Sequence, residues 1–339
     1  MRILCGDIGG TKTLVQLVEV NNTDVTVLKT QRYSSTQYDQ FDSILEDFLS
    51  ADNYQDSISA ACFGVAGPVF KSESSQTATI TNLPWQMDSA KLARAFALPG
   101  LALINDFEAI AYGIPALTDM DLVTLQTGQS LPHGNQLVIG AGTGLGVAQL
   151  IWSGEEYLVI STEGGHTEFA PANELQLQLA EYLLKHKGRN SIEFVLSGSG
   201  LVNVFQFICE TQQQLESDHY LSIMQATDPA AAISAAADER SDSAAYQAVQ
   251  LFVQAYGGQT GNFALASLAM GGVFVAGGIA AKILAHLQTG EFIEAFNAKG
   301  KMSALMQKMT LKVITNPDVG LIGCRLYAMR LAEHYSGST

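Results

Sequence analysis

Hydrophobic and polar positions along the chain follow two periods, which predict where strands and helices lie. Residues 2–20 and 25–34 are rich in apolar and β-branched side chains without helical spacing, which predicts successive strands. From Asp39, the apolar residues of DQFDSILEDFLSA recur at helical spacing and predict a helix. Residues 57–67 predict a further strand, and residues 102–115 predict a strand that runs into a helix. This order of elements is typical of an α/β fold.

The first strand segment contains the glycine-rich sequence GDIGGTKT at residues 6–13. Its spacing is one substitution away from the Walker pattern G-x-x-x-x-G-K-[ST], because Thr11 stands in place of the second glycine. A Walker loop leads into a helix whose N-terminal amides bind phosphate. Here the segment LVQLVEV follows, and its composition is typical of a strand. The sequence therefore predicts a β-hairpin with a glycine-rich turn and not a Walker loop.

The pattern of strand, glycine-rich turn and strand returns later in the chain around GAGTGLG. A shift of 133 residues places Gly9 on Gly142. The same shift places the pair Gln16-Leu17 on Gln149-Leu150. We interpret the match as an internal repeat and expect two structurally related halves around a cleft, with a boundary near residue 112.

The segment GAGTGLG could also be taken for a dinucleotide-binding fingerprint. The spacing G-x-G-x-x-G counted from Gly140 places Leu145 at the last glycine, and counted from Gly142 it places Val147 there. The residues that follow are again typical of a strand, whereas the fingerprint opens a helix. A dinucleotide site of that kind is therefore disfavoured.

Residues 264–281 form a stretch of eighteen residues without a charge, ALASLAMGGVFVAGGIAA, which is long enough to imitate a membrane span. Gly-Gly pairs at 271–272 and 277–278 divide this stretch into short pieces. We therefore predict the end of a helix, a turn, a strand and a helix start, and we expect no membrane association.

Composition narrows the range of functions. The 339 residues suffice for two domains with separate cores, and the formal net charge of −15 argues against nucleic acid as a partner. The four cysteines are widely scattered: Cys5, Cys62, Cys209 and Cys324. They form no C-x-x-C pair, so a zinc site of that kind is unsupported, and their low density fits buried or free thiols in a reducing cytosol better than two disulfides. Because Asp7 interrupts the first apolar run, we expect no secretory signal and a cytoplasmic location.

Two glycine-rich hairpins could approach a phosphate with their backbone amides and without side-chain obstruction. Each carries a hydroxyl group, on Thr11 and Thr143, and the first also carries the carboxylate of Asp7. A carboxylate beside a phosphate repels it unless a cation intervenes, so Asp7 indicates Mg²⁺ held through water. For either turn alone, an ordinary tight hairpin is the alternative.

The sequence IND places Asn105 and Asp106 at the end of a predicted strand, where open α/β folds build ligand sites. A carboxylate there can take a proton from a hydroxyl group that is about to act as a nucleophile. A helix N-cap for FEAIAY is the alternative role, because Asn and Asp are both favoured at that position.

The sequence EGGHTEF gathers Glu163, His166 and Glu168 on a loop with two glycines. It matches neither the H-E-x-x-H metal pattern nor a deaminase H-x-E site, so a metal centre is disfavoured. Several hydrogen-bonding groups on one loop suit a polyhydroxylated ligand. Glu193 is a further candidate of this kind, although such a residue is often a solvated helix residue.

These motifs together resemble the bacterial glucokinases of the hexokinase–actin ATPase superfamily, of the enterobacterial and cyanobacterial type. Six motifs occur in the family's order, from the first strand onwards: GDIGGT, INDFEA, GAGTGLG, EGGHTEFAP, VLSGSGLVN and GGVFVAGGI. The resemblance extends to NPDVGLIG near the end of the chain.

The resemblance implies a two-domain actin-like ATPase (ribonuclease H-like) α/β fold with the active site in the interdomain cleft. We expect a small domain over residues 1–111, joined by a C-terminal helix over 321–339, and a large domain over 112–320. The implied reaction is ATP-dependent phosphorylation of D-glucose at O6 with Mg²⁺, the first step of glycolysis. A homodimer is also implied.

The resemblance further implies residue roles, with Asp106 as the general base. Sugar-binding roles fall on Asn82, Asn105, Asp106, Glu163, His166 and Glu193. Nucleotide-binding roles fall on the two glycine turns and a third glycine pair: Gly6, Asp7, Ile8, Gly9, Gly10, Thr11, Gly142, Thr143, Gly144, Gly277 and Gly278. Asp7 is also the implied contact to Mg²⁺ through water.

Two departures from related patterns matter. ROK kinases and repressors pair a similar histidine loop with the zinc motif C-x-C-G-x-x-G-C, which this sequence does not contain. We therefore assign His166 to sugar and not to zinc. Lys12 stands where enterobacterial enzymes often have Asn, and its role stays open. A kinase for another hexose and a sugar-binding sensor without catalysis are the alternative functions.

Overall fold

The computed structural model describes residues 1–21, 24–50, 58–239 and 243–336. The chain forms two compact units. Unit 1 comprises Met1–Thr118 and Asp318–Thr339, and unit 2 comprises Asp119–Pro317. The boundaries expected from the sequence, at 111/112 and 320/321, differ from these divisions by seven and three residues.

Unit 1 begins with a strand meander and continues with alternating strands and helices. Its elements are β1 (Arg2–Ile8), β2 (Lys12–Asn21), β3 (Asp24–Ser34), α1 (Phe41–Ser50), β4 (Ile58–Val65), β5 (Val69–Lys71), β6 (Gln76–Thr79), β7 (Gln86–Asp88), α2 (Ser89–Ala95), β8 (Leu101–Asn105) and α3 (Asp106–Gly113). The main sheet has the order β3-β2-β1-β4-β8, and β5, β6 and β7 form a small sheet. Strands β1, β4 and β8 are parallel, so their carboxyl ends share one edge.

Unit 2 has more helices and a second sheet. Its first elements are β9 (Leu122–Gln126), β10 (Gln136–Ala141), β11 (Leu145–Trp152), β12 (Tyr157–Thr162), α4 (Glu174–Lys187), α5 (Gly198–Thr211), α6 (Asp218–Met224) and α7 (Pro229–Glu239). They are followed by α8 (Ala244–Ser267), β13 (Gly272–Ala276), α9 (Gly278–Lys282), α10 (Leu284–Leu287), α11 (Glu291–Asn297), α12 (Ser303–Met306) and β14 (Leu311–Ile314). The last helix, α13 (Val319–Ser336), belongs to unit 1.

The two sheets repeat one topology. The order β3-β2-β1-β4-β8 corresponds to β12-β11-β10-β13-β14, with antiparallel pairs in the meander and parallel pairs after it. The repeat expected from the sequence is thus present, and Gly9 and Gly142 both follow the first strand of a hairpin.

The predicted equivalence of the glutamines is wrong by one residue. Gln16 pairs with Cys5 of β1. The residue 133 positions after Cys5 is Val138, and its partner is Ala148, not Gln149. The slip arises because the second turn is shorter, since Gly9 N donates to the carbonyl of Lys12 whereas Gly142 N donates to that of Gly144.

The core of unit 1 lies on both faces of its sheet. On one face, residues such as Leu4 and Ile8 of β1 pack with the side chains of Phe41 and Trp85. On the other face, α13 packs against β1 and β4. Asp7 belongs to this second face by the two-residue period of a strand, at the end of β1 where α13 begins.

The uncharged segment 264–281 has the structure that its glycine pairs predict. It contains the end of α8, the buried strand β13 and the start of α9. Strand β13 pairs with β10 and β14 in the interior of the second sheet. No helix in the described part of the chain is long and apolar enough to cross a membrane.

Candidate active site

The turn between β1 and β2 is a braced hairpin. Gly9 N donates to Lys12 O at 3.0 Å, and Ser35 N donates to Thr11 O at 3.0 Å. The Ser35 hydroxyl donates to Gly9 O at 2.8 Å. The element after the turn is the strand β2, so the prediction of a hairpin instead of a Walker loop is confirmed.

The side chain of Asp7 in the first motif is open to a ligand, as are those of Thr11 and Lys12. Its neighbours Gly6 and Ile8 are buried, whereas Asp7 is exposed to solvent. Desolvation by surrounding protein atoms nevertheless raises the pKa of Asp7, and the negative charge of Asp318 raises it further. A cation near Asp7 would relieve this repulsion.

Asn105 and Asp106 lie at the carboxyl edge of the first sheet, where β8 meets α3. Asn105 is the N-cap of α3, and its Oδ1 accepts from Phe107 N at 2.9 Å. Its Nδ2 donates to Gly67 O at 3.1 Å. Asp106 Oδ1 also accepts from Phe107 N, at 2.9 Å. The capping position is therefore held by Asn105, while Asp106 is the first residue of the helix.

The environment of Asp106 favours its neutral form more than water does. Desolvation by burial is the main cause, and together with the charge of Asp7 it raises the pKa of Asp106 to about 6. The hydrogen bond from Phe107 N acts in the opposite direction. A carboxylate of this kind has the basicity that a general base needs near neutral pH.

Asn82 lies beside the first hairpin. It has a positive φ of 65° and is exposed. A Cβ atom added to Gly10 would lie 2.6 Å from Thr81 O and 3.7 Å from Asn82 Cβ. Gly10 is therefore needed for the close approach of these two turns, and Asn82 is held near the first glycine-rich hairpin.

The second hairpin, between β10 and β11, borders a pocket of about 310 Å³ in unit 2. Its lining comes from the hairpin and from three helices: Gly142, Thr143, Gly198, Leu201, Asp228, Ala230, Ala231, Ser234, Gly278, Ile279 and Lys282. Among the described residues, no atom lies within 4 Å of a Cβ built on Gly142 or Gly278. Backbone is thus open to a ligand at both positions.

Gly277 is required by the backbone, whereas Gly278 leaves space for a ligand. Its φ is +89°, a conformation that favours glycine. A Cβ at Gly277 would also collide with the carbonyl oxygen of Ala141 at the end of β10. Gly277 therefore allows β13 and β10 to approach where the hairpin begins.

Three predicted sugar-binding side chains meet in unit 2. Glu163 precedes a short 3-10 helix, Gly164–His166, and Glu193 lies in a second one, Ile192–Phe194. His166 Nε2 is 3.8 Å from Glu163 Oε2, and His166 Nδ1 is 3.9 Å from Glu193 Oε1. These distances exceed a hydrogen bond, so the polar atoms can still bind hydroxyl groups of a ligand.

Glu168, the other acidic residue of this loop, is paired with an arginine. Arg189 Nη2 donates to Glu168 Oε1 at 2.8 Å and to the carbonyl of His166 at 2.8 Å. The same guanidinium thus supports the backbone of the histidine loop.

Sequence reasoning missed the pocket wall formed by α7. Asp228 precedes Pro229 and accepts from Ala231 N, in the manner of a helix start that the Asp-Pro pair could have signalled. The alanines that follow carry no motif, so their place in the pocket had no signal. Gly198, in contrast, lies within the quoted motif VLSGSGLVN.

The described residues contain no group of three or more His, Cys, Asp or Glu side chains arranged to hold a metal ion. Asp7, Asn82, Asn105 and Asp106 belong to unit 1, as does the turn that contains Thr11. Glu163, His166, Glu193 and the pocket belong to unit 2.

Both the family model and the relatives that match this sequence are glucokinases. The family model described as Glucokinase matches residues 4–331. A glucokinase from Nostoc sp. is 42% identical over 343 residues, covering 97% of this chain and 99% of the relative.

Solved structures of glucokinases share the fold of this chain. The crystal structure of a glucokinase from an Antarctic psychrotroph has a TM-score of 0.84 and 28% identity, covering 97% of this chain and 99% of that one. A ROK family glucokinase from Streptomyces griseus, solved with glucose and AMPPNP, shares the fold with a TM-score of 0.64 at 18% identity, over 97% of this chain and all of that one. The fold is that of the actin-like ATPases, and the chain belongs to the glucokinase family.

Proposed function

We propose that this protein transfers the γ-phosphoryl group of ATP to O6 of D-glucose. The observation that carries the proposal is the carboxylate of Asp106, which lies at the carboxyl ends of the parallel strands β1, β4 and β8 and has a pKa raised to about 6. Such a group is ionised at neutral pH and can accept the proton of the 6-hydroxyl as that oxygen attacks phosphorus.

Asn105 supports this role through its position. Its side chain bonds the amide of Phe107 and the carbonyl of Gly67, which fixes the start of α3 and with it Asp106. Buried Glu108, in the first turn of α3, is paired with Lys71 of β5 at 3.1 Å and fixes the same helix. Phosphoryl transfer depends on such positioning more than on covalent chemistry.

Nucleotide binding is supported by the pocket of unit 2. The open backbone at Gly142 and Gly278 suits a ligand that approaches closely, and the pocket volume suits a nucleoside. We assign the adenosine to this pocket, and the phosphates to the backbone of the two glycine hairpins.

The residues of unit 1 fit a magnesium ion bound together with ATP. Asp7 offers hard oxygen ligands to solvent, and its repulsion from Asp318 favours a neighbouring cation. The ion, when bound, would neutralise charge on the phosphates. Asp7 would hold it through water, as expected for Mg²⁺, which keeps several of its water ligands.

Sugar recognition is assigned to Glu163, His166 and Glu193, together with Asn82 and Asn105. A carboxylate accepts hydrogen bonds from two hydroxyl groups, and the spacing around His166 leaves those atoms available. An analogue that lacks one hydroxyl would leave an acceptor unpaired, which weakens its binding.

The test is an ADP-release assay across glucose, mannose, fructose, galactose and glucosamine, with the glucose product identified by glucose 6-phosphate dehydrogenase. We expect Mg²⁺-dependent turnover with the highest kcat/KM for glucose. A higher kcat/KM for another hexose would make the protein a kinase for that sugar. Glucose binding in calorimetry without ADP release from any sugar would instead make it a sensor.

The homodimer and the cytoplasmic location remain predictions. Light scattering of the purified protein across micromolar concentrations tests the first, with a mass of two chains as the expected result.

A further inference from the structure

The two carboxylate oxygens of Glu193 face different parts of unit 2. Oε2 accepts a hydrogen bond from Leu145 N at 2.9 Å, where the second hairpin enters β11. Oε1 faces His166 Nδ1 at 3.9 Å, on the side of the sugar-binding loop. Glu193 is 25% exposed, whereas the side chain of Glu163 is 72% exposed. Glu193 is thus the more firmly held of the two acids.

The backbone of Glu193 is also tied to the hairpin. The Ser197 hydroxyl donates to Glu193 O at 2.7 Å and accepts from Gly200 N at 2.9 Å, which caps α5. Gly198 N donates to Gly142 O at 2.8 Å. The segment from Glu193 to Gly198 therefore contacts the hairpin at two points: Glu193 accepts from Leu145 N, and Gly198 N donates to Gly142 O.

Gly144 provides the space that Glu193 occupies. A Cβ added to Gly144 would lie 2.5 Å from Glu193 Oε2. The absence of a side chain at this position therefore admits the carboxylate rather than a ligand. Of the three residues in the hairpin turn, Gly142 and Thr143 line the pocket, and Gly144 faces Glu193.

We propose that Glu193 is a positioning residue for the second phosphate hairpin and that it couples sugar binding to nucleotide binding. A sugar hydroxyl on Oε1 fixes the carboxylate, and the fixed Oε2 holds Leu145 N and hence the hairpin. The inference rests on the proposed function for the identity of the two ligands. Coupling of this kind is reciprocal, so each ligand should increase the affinity for the other.

The test measures AMPPNP binding by calorimetry, with and without saturating glucose. In the wild type, glucose should lower the Kd of AMPPNP severalfold. Glu193→Ala should raise the Kd of AMPPNP roughly tenfold, as expected for loss of a hydrogen bond to a charged group, and should abolish the effect of glucose.

Two further variants separate positioning from simple sugar contact. Glu193→Gln keeps an oxygen that can accept from Leu145 N, so AMPPNP binding without glucose should return to within about threefold of the wild type. Glu163→Gln, a matched change on the other side of His166, should weaken glucose binding and leave both AMPPNP affinity and the coupling intact once glucose saturates.

Hydrogen exchange of the Leu145 amide gives a readout that needs no substrate. Its exchange should accelerate at least tenfold in Glu193→Ala and change little in Glu163→Gln. Unchanged exchange and unchanged AMPPNP affinity in Glu193→Ala would overturn the inference, as would equal losses of AMPPNP affinity in Glu163→Gln. A wild-type protein that phosphorylates no sugar would defeat the proposed function while leaving the exchange experiment interpretable.

Discussion

Replacement of Asp106 by asparagine should reduce activity and increase stability at the same time. Without the carboxylate, the sugar 6-hydroxyl loses its base, so kcat should fall by about two to four orders of magnitude. The amide oxygen introduced by Asp106→Asn would still accept from Phe107 N, as the carboxylate does now. We therefore expect the affinities for glucose and AMPPNP to change by less than about threefold.

The stability gain follows from the raised pKa. Burial and the charge of Asp7 raise the pKa of Asp106 from 3.8 to about 6, so its ionised form is penalised in the folded state. At pH 8 the group is ionised in both states, and the shift corresponds to about 3 kcal/mol of lost stability. A neutral amide avoids this loss but accepts a weaker hydrogen bond, so we expect a net gain of about 1 to 3 kcal/mol.

The stability penalty from the ionised Asp106 carboxylate increases as the pH rises. The penalty is complete above pH 6, decreases as the pH falls through 6, and disappears below the unfolded value of 3.8. Between pH 8 and pH 5 it should fall by roughly half. Urea unfolding of the wild type and of Asp106→Asn at pH 8 and pH 5 measures the gain in the free energy of unfolding and its decrease at the lower pH.

Glu181→Gln is a matched control, because Glu181 is an exposed carboxylate on α4. The control should show no comparable gain. If Asp106→Asn were no more stable than the wild type at pH 8, or gained equally at pH 5, the buried carboxylate would not have the environment described. If the variant kept near-normal turnover, Asp106 would be a structural residue of the helix start and not the base.

Other changes give equally distinct outcomes. Glu163→Gln should raise the KM for glucose tens-fold or more and leave that for ATP nearly unchanged, as measured separately by steady-state kinetics. Gly277→Ala should lower the free energy of unfolding by on the order of 2 to 4 kcal/mol, because it combines a φ of +89° with a collision at Ala141 O; Gly278→Ala is its control and should retain stability while raising the KM for ATP. Removal of Mg²⁺ with a chelator should abolish turnover, and metal analysis should find no stoichiometric zinc; zinc at one per chain that is lost in His166→Ala would contradict the assignment of that loop.

Local patterns in the sequence predicted many of the strands, helices and turns, because each kind of element has its own spacing of apolar residues or its own turn residues. The strand after Thr11 excluded a Walker loop, and the glycine pairs at 271–272 and 277–278 divided an uncharged segment into a helix end, a strand and a helix start. The placement of Asn105 and Asp106 at a strand end followed from the change of hydrophobic period.

Contacts between distant segments had no such signal. The glutamine match failed because register depends on turn length, and the second turn is one residue shorter. The pocket wall at Ala230 and Ala231 was missed because alanine in a helix carries no distinguishing pattern. The bond from Leu145 N to Glu193 joins residues 48 positions apart, which a periodic pattern cannot indicate.

The two hairpins show why a repeated backbone does not imply a repeated chemistry. Each turn follows the first strand of an equivalent sheet, yet their polar partners differ. Asp7 lies near the end of the first strand, where its charge raises the pKa of Asp106 and its repulsion from Asp318 favours a neighbouring cation. The second hairpin carries no such acid of its own and is instead braced from outside by Glu193. The two sheets supply similar sets of backbone amides, but the side chains around each set differ. We therefore propose that the first half holds the metal and accepts the proton, and that the second half responds to the sugar.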